Sequence, residues 1–326
     1  MNTAQQGLKT WSTFAGTRRK PTEYEVVSVD LHSRTRNPQA AYELAPSLFM
    51  NDWYRRHVGG SVLQHPDWDG FRDPDEMIYR RYTLAQDAHE DYVDGLLSEH
   101  ARERHDLRLQ APWRDFLRRC YTPARYPLHA MQMSAAYMVQ MAPASTITNA
   151  AVFQEGDAYR WVSRLAYRTR ELQIAYADAG FGAERASWED APVWQPWREL
   201  FEKVLATYDW GEHLFAMNAV AKLAFDEAFC RAVKPAARAA GDTLLAMLLD
   251  AQFQDAERSR RWTQALALHA FKHAPNRAAL GSVVARWMPL AAQAVRCWCA
   301  ALPEGGEGAD AVLGRVRAWQ AAAGLA

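Results

Sequence analysis

Two short strings hold the residue types from which helical proteins build reactive centres: Asp157-Ala158-Tyr159-Arg160 and Asp255-Ala256-Glu257-Arg258. In each, an aspartate and an arginine stand three positions apart, close enough to pair along one helix or between helices. The chemistry that long-helix bundles usually host is metal-based. Carboxylates and Glu-x-x-His pairs project into the core and hold two metal ions, because such ions take hard oxygen and imidazole donors. No glutamate of this chain has a histidine three residues later: Glu99 meets Arg102, Glu103 meets Asp106, Glu212 meets Phe215 and Glu257 meets Arg260. The chain itself is therefore predicted to bind no di-iron centre.

Other reactive patterns are weaker. Asp87, Asp91 and Asp94 share a helix face in DAHEDYVDGLLSEHARERHD, which suits a divalent metal and would suit a magnesium-dependent prenyl-chain enzyme. A second acidic motif is missing and basic residues are interleaved, so a solvated or subunit-facing charged surface is the expectation. Cys297-Trp-Cys299 lacks the two-residue spacing and the second pair of a zinc site. No glycine-rich phosphate loop is present. Met131, Met133, Met138 and Met141 read as core filling, with a subunit contact as the competing use.

The elements that must position these residues are helices. From about residue 76 to 302 the apolar spacing is helical nearly throughout, and no run of alternating valines and isoleucines suggests a sheet. The spacing predicts helices over 76–106, 112–141 (interrupted near Pro123 and Pro127), 145–176, 188–207, 210–232, 242–273 and 276–302. Several such helices with short connections make a long-helix bundle, and globin-like folds would use shorter ones. Around the second string, Leu245, Leu248, Leu249, Gln252, Ala256, Ser259, Thr263, Leu266 and Ala270 lie on one face. Around the first, Ile147, Ala151, Phe153, Ala158, Trp161, Leu165, Tyr167, Arg168 and Leu172 form a noisier stripe. Both motifs thus set an Asp and an Arg beside an inward alanine. Residues 1–75 read as a separate extended arm, rich in proline yet also in aromatics, among them Trp11, Phe14, Tyr24, Tyr42, Trp53 and Tyr54. Such an arm is predicted to lie on a surface, either of this chain or of a partner. A linker, PEGGEGA, precedes a last short helix at 310–323 within the segment 303–326.

Lys+Arg and Asp+Glu both number 38, which argues against a nucleic-acid partner. The chain shows no signal-peptide pattern and no apolar run long enough for a membrane span. The expectation is a reduced, cytoplasmic protein.

The strings WSTFAGTRRKPTEYEVVS, QMSAAYMVQMAPASTITN, AYRTREL, YADAG, YDWGE and DAERSRRW make the chain resemble the β subunit of the hydroxylase of bacterial toluene and o-xylene monooxygenases. These are relatives of phenol hydroxylase and soluble methane monooxygenase. The resemblance runs over nearly the whole chain. It implies an all-α, ferritin-like bundle inside an (αβγ)2 hydroxylase in which only the α subunit carries two irons. It also implies association with an effector protein and a Rieske ferredoxin, and hydroxylation of toluene-like arenes by the whole complex with O2 and NADH-derived electrons. In the α subunits the paired ligand motifs read Asp-Glu-x-Arg-His. On that frame the two glutamate positions are Ala158 and Ala256 here, and the two histidine positions are Trp161 and Ser259. Asp157, Arg160, Asp255 and Arg258 remain as structural pairs. The other α ligands are single glutamates on neighbouring helices, and Asn218, a polar residue in LFAMNAVAKLAF, marks one candidate place for them. The resemblance implies a scaffold without cofactor; a free-standing helical binding protein is the alternative that would stay monomeric.

Overall fold

The computed structural model describes residues 19–29 and 49–325. Those residues form helices and no strand. In chain order the α-helices are α1 (Glu23–Ser28), α2 (Phe49–Tyr54), α3 (Tyr79–Arg102), α4 (Ala111–Phe116), α5 (Arg125–Met141), α6 (Ser145–Ala175) and α7 (Glu184–Asp190). Then come α8 (Gln195–Leu205), α9 (Trp210–Ala216), α10 (Lys222–Asp226), α11 (Val233–Ala239), α12 (Thr243–Ala270), α13 (Pro275–Ala300) and α14 (Ala309–Ala322). The all-α, ferritin-like bundle expected from the periodicity and the resemblance is the fold observed.

Its centre is built from two helical hairpins. Helix α5 turns through Pro143 into α6, a helix about 45 Å long at 1.5 Å per residue. The second hairpin begins with a rod running from Trp210 to Ala239, in which α9, α10 and α11 are joined by π-helical turns at Met217–Ala221 and Glu227–Arg231. This rod ends at Gly241, whose φ of 76° supplies the left-handed residue a helix stop needs. Asp242 then caps α12, accepting from the Leu245 N–H at 2.9 Å. Its other bonds, from the Trp113 indole at 2.8 Å and with His105 Nε2 at 3.0 Å, tie α4 and the 3-10 turn His105–Arg108 after α3 to that cap.

Sequence and structure differ at two helix starts. Helix α3 begins at Tyr79, not at the expected residue 76. Asp73 spends its carboxylate on the N–H groups of Asp75 and Met77, and Glu76 adopts a left-handed φ of 44°, which no helix accepts. The segment 112–141 is broken at Pro123 by a π-helical and a 3-10 turn, whereas Pro127 is accommodated in the first turn of α5, where N–H groups have no intrahelical partner. On the α12 stripe all nine residues are buried. The α6 stripe is buried except at Tyr167, which faces solvent. A second core layer of aromatics joins the rod to α8 and α13: Trp197 meets Phe225 edge-on at 5.3 Å, and Trp194 meets Trp298 at 5.1 Å.

The described part of the arm packs on its own chain. Tyr24 is 4% exposed and accepts the Asp73 N–H at 3.0 Å, so it is unavailable to a partner. Trp53 lies against Tyr208 at 4.8 Å, and the Tyr54 hydroxyl accepts from Gln140. Ser61 and Val62 bond to Asp209 at 2.9 Å each. Gly211 makes this docking fit, since a Cβ there would lie 2.7 Å from Leu63 Cγ. Trp11, Phe14 and Tyr42 fall outside the described residues.

Candidate functional site

The two Asp-Ala-x-Arg strings meet at the middle of the bundle, and they are wired crosswise. Arg258 of α12 binds Asp157 of α6, while Arg160 of α6 donates from Nη1 to Asp255 of α12 at 3.1 Å. Within each helix the Asp–Arg separations are longer, 3.9 Å for Asp157–Arg160 and 3.7 Å for Asp255–Arg258. The pairing therefore joins the hairpins to each other rather than bracing each helix along itself. Helix α3 closes the arrangement from outside. Its Gln86 donates one amide nitrogen to both carboxylates, at 3.0 Å to Asp157 and 3.1 Å to Asp255. Tyr82 donates to Asp157 at 3.1 Å, and Glu90 takes up the far side of Arg160.

Two buried aspartates sharing one amide repel each other. Burial, and then Asp255, push Asp157 up to about 7 against the pull of Arg258 and Arg160. Asp157 is therefore held more easily protonated than an ordinary carboxylate. Burial likewise lowers the pKa of His89, whose Nδ1 is 3.8 Å from Asp255.

Directly inside this quartet lies a cavity of about 30 Å3, every lining residue of which is buried. Ala158 and Trp161 of α6 and Ala256 and Ser259 of α12 all border it. From the other two central helices the bordering residues include Leu128 of α5 and Lys222 of α10. Trp161 fills much of the space and anchors its indole N–H on Asp255 at 2.7 Å. Lys222 places an ammonium inside the bundle, bonded to Asp226 at 2.6 Å. Asn218 does not border this cavity. It exchanges bonds with Gln154 at 2.8 and 3.1 Å and donates to Thr263 at 3.0 Å. Asn218, the place the resemblance suggested for a ligand, thus lies off this cavity, whereas Lys222, one turn along the rod, borders it. A di-iron group does not fit these side chains. The aspartates on the cavity wall are already paired, Asp157 with Arg258, Asp255 with Arg160 and the Trp161 indole, and Asp226 with Lys222. Leucine, alanine, tryptophan and serine add no adequate donor set, and the ammonium would repel a dication. Among the described residues no group of three His, Cys, Asp or Glu side chains converges as a metal site.

Residues 48–274 match the methane/phenol/alkene hydroxylase family. The chain belongs to that family. Over 92% of its length this hydroxylase chain is 43% identical to the β subunit of the hydroxylase component of the toluene-4-monooxygenase system of Ectopseudomonas mendocina, covering 92% of that protein. It is 24% identical over 88% of its length to the small subunit of the propane 2-monooxygenase hydroxylase component of Rhodococcus jostii, covering 79% of it. A chain in the solved structure of toluene 4-monooxygenase with toluene bound superposes with a TM-score of 0.87 at 42% identity, over 91% of this chain and 98% of that one. A chain of xenon-pressurised phenol hydroxylase from Pseudomonas sp. OX1 shares the fold, with a TM-score of 0.81 at 20% identity over 94% and 91% of the two chains.

The remaining candidates of this hydroxylase chain do not gather into a site. Asp87, Asp91 and Asp94 are exposed on α3, and Asp94 is paired with Arg164. That placement leaves the prenyl-chain reading without a metal cradle. Met131, Met138 and Met141 are core, whereas Met133 is 41% exposed. Gln86, Tyr82, Glu90, Lys222 and Leu128 were not singled out from the sequence. The signal for Lys222 was present: a lysine and an aspartate one turn apart inside the otherwise apolar run LFAMNAVAKLAFDEAF.

Proposed function

We propose that this chain is the non-catalytic, structural β subunit of an aromatic monooxygenase hydroxylase. It packs beside a di-iron α subunit and a γ subunit in an (αβγ)2 assembly that hydroxylates toluene-like arenes with O2 and NADH-derived electrons. A Rieske ferredoxin and an effector protein engage that assembly, and the location is the cytoplasm. The observation that supports this reading most is the chemistry of the bundle interior. Leu128, Ala158, Trp161, Lys222, Ala256 and Ser259 face a common cavity whose three aspartates are paired with Lys222, Arg258 and Arg160, so this lining cannot assemble a metal centre, in a chain so similar to a toluene hydroxylase β subunit. Among the described residues no helix is long and apolar enough to cross a membrane.

With its own centre closed, the chain has one mechanical role left. It presents a rigid bundle, locked by the crossed quartet, against which a catalytic subunit keeps its geometry. Co-expression with a toluene-type α and γ subunit, followed by size-exclusion chromatography and iron analysis, tests the proposal. The expected result is co-elution, with all iron and all toluene hydroxylation depending on α. A chain that elutes as a monomer beside its α partner, or that carries stoichiometric iron when purified alone, would refute it.

A further inference from the structure

We infer that the closed centre of the bundle is a lysine-centred site for one ordered water molecule, bound by Lys222, Gln252 and Ser259. The inference rests on the interior of this chain alone and is independent of how the chain assembles. Lys222 is 9% exposed, and its ammonium has three N–H donors. Asp226 takes one of them at 2.6 Å. Buried donors are almost always satisfied, because an unmet one keeps its full desolvation penalty. The cavity that Lys222 borders is about 30 Å3, above the roughly 10–15 Å3 that a buried water needs.

Two more polar side chains reach the same space. Gln252, 7% exposed, borders the cavity, and among the described residues no hydrogen bond engages its amide. Ser259 gives its proton to the Ala256 carbonyl at 2.8 Å, which leaves its oxygen free to accept. A water there would accept from Lys222, donate to Ser259 and exchange a bond with Gln252, within the two to four partners a buried water typically has.

The charges around the cavity select a neutral occupant. Asp226 offsets Lys222, and the two remaining aspartates on its wall, Asp157 and Asp255, are offset by Arg258 and Arg160. An anion would upset this balance, and a cation would meet the ammonium. The apolar walls, Leu128, Met131, Ala158 and Trp161, supply shape but no competing partner.

A crystal structure of the full chain in its purified hydroxylase complex, at a resolution that shows ordered water, is the test. One density peak within hydrogen-bonding distance of Lys222 Nζ and of the Gln252 amide is expected. Gln252→Leu exchanges one buried neutral side chain for another of similar size, and its crystal structure should show that peak lost. Lys222→Met should also lose it, but strands Asp226, so the Gln252 variant decides if that protein fails to fold. A featureless cavity in the native protein, xenon entering it under pressure, or an unchanged peak in Gln252→Leu would each overturn the inference.

Discussion

Replacing Arg258 with methionine tests whether the two repeats are wired across the bundle. Methionine keeps most of the apolar stem and removes the charge. Arg258 is nearly buried, and Asp157 opposite it is buried among Tyr82, Gln86 and that guanidinium. Removing one partner of a buried pair costs about 3–5 kcal/mol, because the other charge stays behind without compensation. Here the loss should fall near the lower end, about 3 kcal/mol, because Asp157 can take up a proton instead. With Arg258 in place it already titrates at about 7. The decisive quantity is the coupling in a double-mutant cycle with Asp157→Asn. For Asp157 with Arg258 it should be about 2 kcal/mol or more, since neighbours in one buried network couple by about 0.5–3 kcal/mol. For Asp157 with Arg160, 3.9 Å apart along α6, it should be below about 0.5 kcal/mol, as for pairs on one helix surface. Urea unfolding of the full chain, followed by tryptophan fluorescence, measures both. A coupling of Asp157 to Arg160 as large as that to Arg258 would refute the crossed arrangement.

Other outcomes follow from the same geometry. The folded Asp157 carboxyl, at about 7, lies above its ordinary value of 3.8, so the folded chain holds the extra proton between those pH values. Its contribution is complete below the lower value and falls by up to about 4 kcal/mol as pH rises through the upper one; Asp157→Asn should flatten this slope in a series of unfolding curves. The variant with Ala158→Glu, Ala256→Glu, Trp161→His and Ser259→His should still bind no stoichiometric metal. Lys222 remains, and unit charges 4 Å apart interact by about 4 kcal/mol at an effective dielectric of 20, twice that for a dication. Adding Lys222→Glu and Leu128→Glu should restore affinity, and metal analysis that finds a loaded four-fold variant would contradict the role given to Lys222. Gly211→Ala should cost about 1–3 kcal/mol through overpacking against Leu63, seen as a lower Tm, whereas an unchanged Tm would mean that the 61–63 segment yields freely.

Much of the fold was legible because helical periodicity is a local property. The α12 stripe from Leu245 to Ala270 could be read directly, since each residue's face follows from its position along one helix. The same reasoning turned Ala158 and Ala256 inward, and both are buried. It misjudged the start of α3, where a side chain competed with the backbone for the same N–H groups. Within the arm it left open whether the aromatics serve this chain or another. Tyr24 shows that at least one is used internally, a matter of which surface lies nearby.

By itself the sequence determined the helices, their buried faces, and the alanines, tryptophan and serine that stand where the resembled frame has glutamate and histidine. Three features were decided only by tertiary structure: the crossed pairing of Asp157 with Arg258 and of Arg160 with Asp255, the bridging amide of Gln86, and the ammonium of Lys222 within the closed centre. The reason is physical. Periodicity fixes the direction in which a side chain points from its own helix, but its partner depends on how the hairpins pack. A lysine in an apolar helix has no assigned surroundings until the helices opposite it are in place.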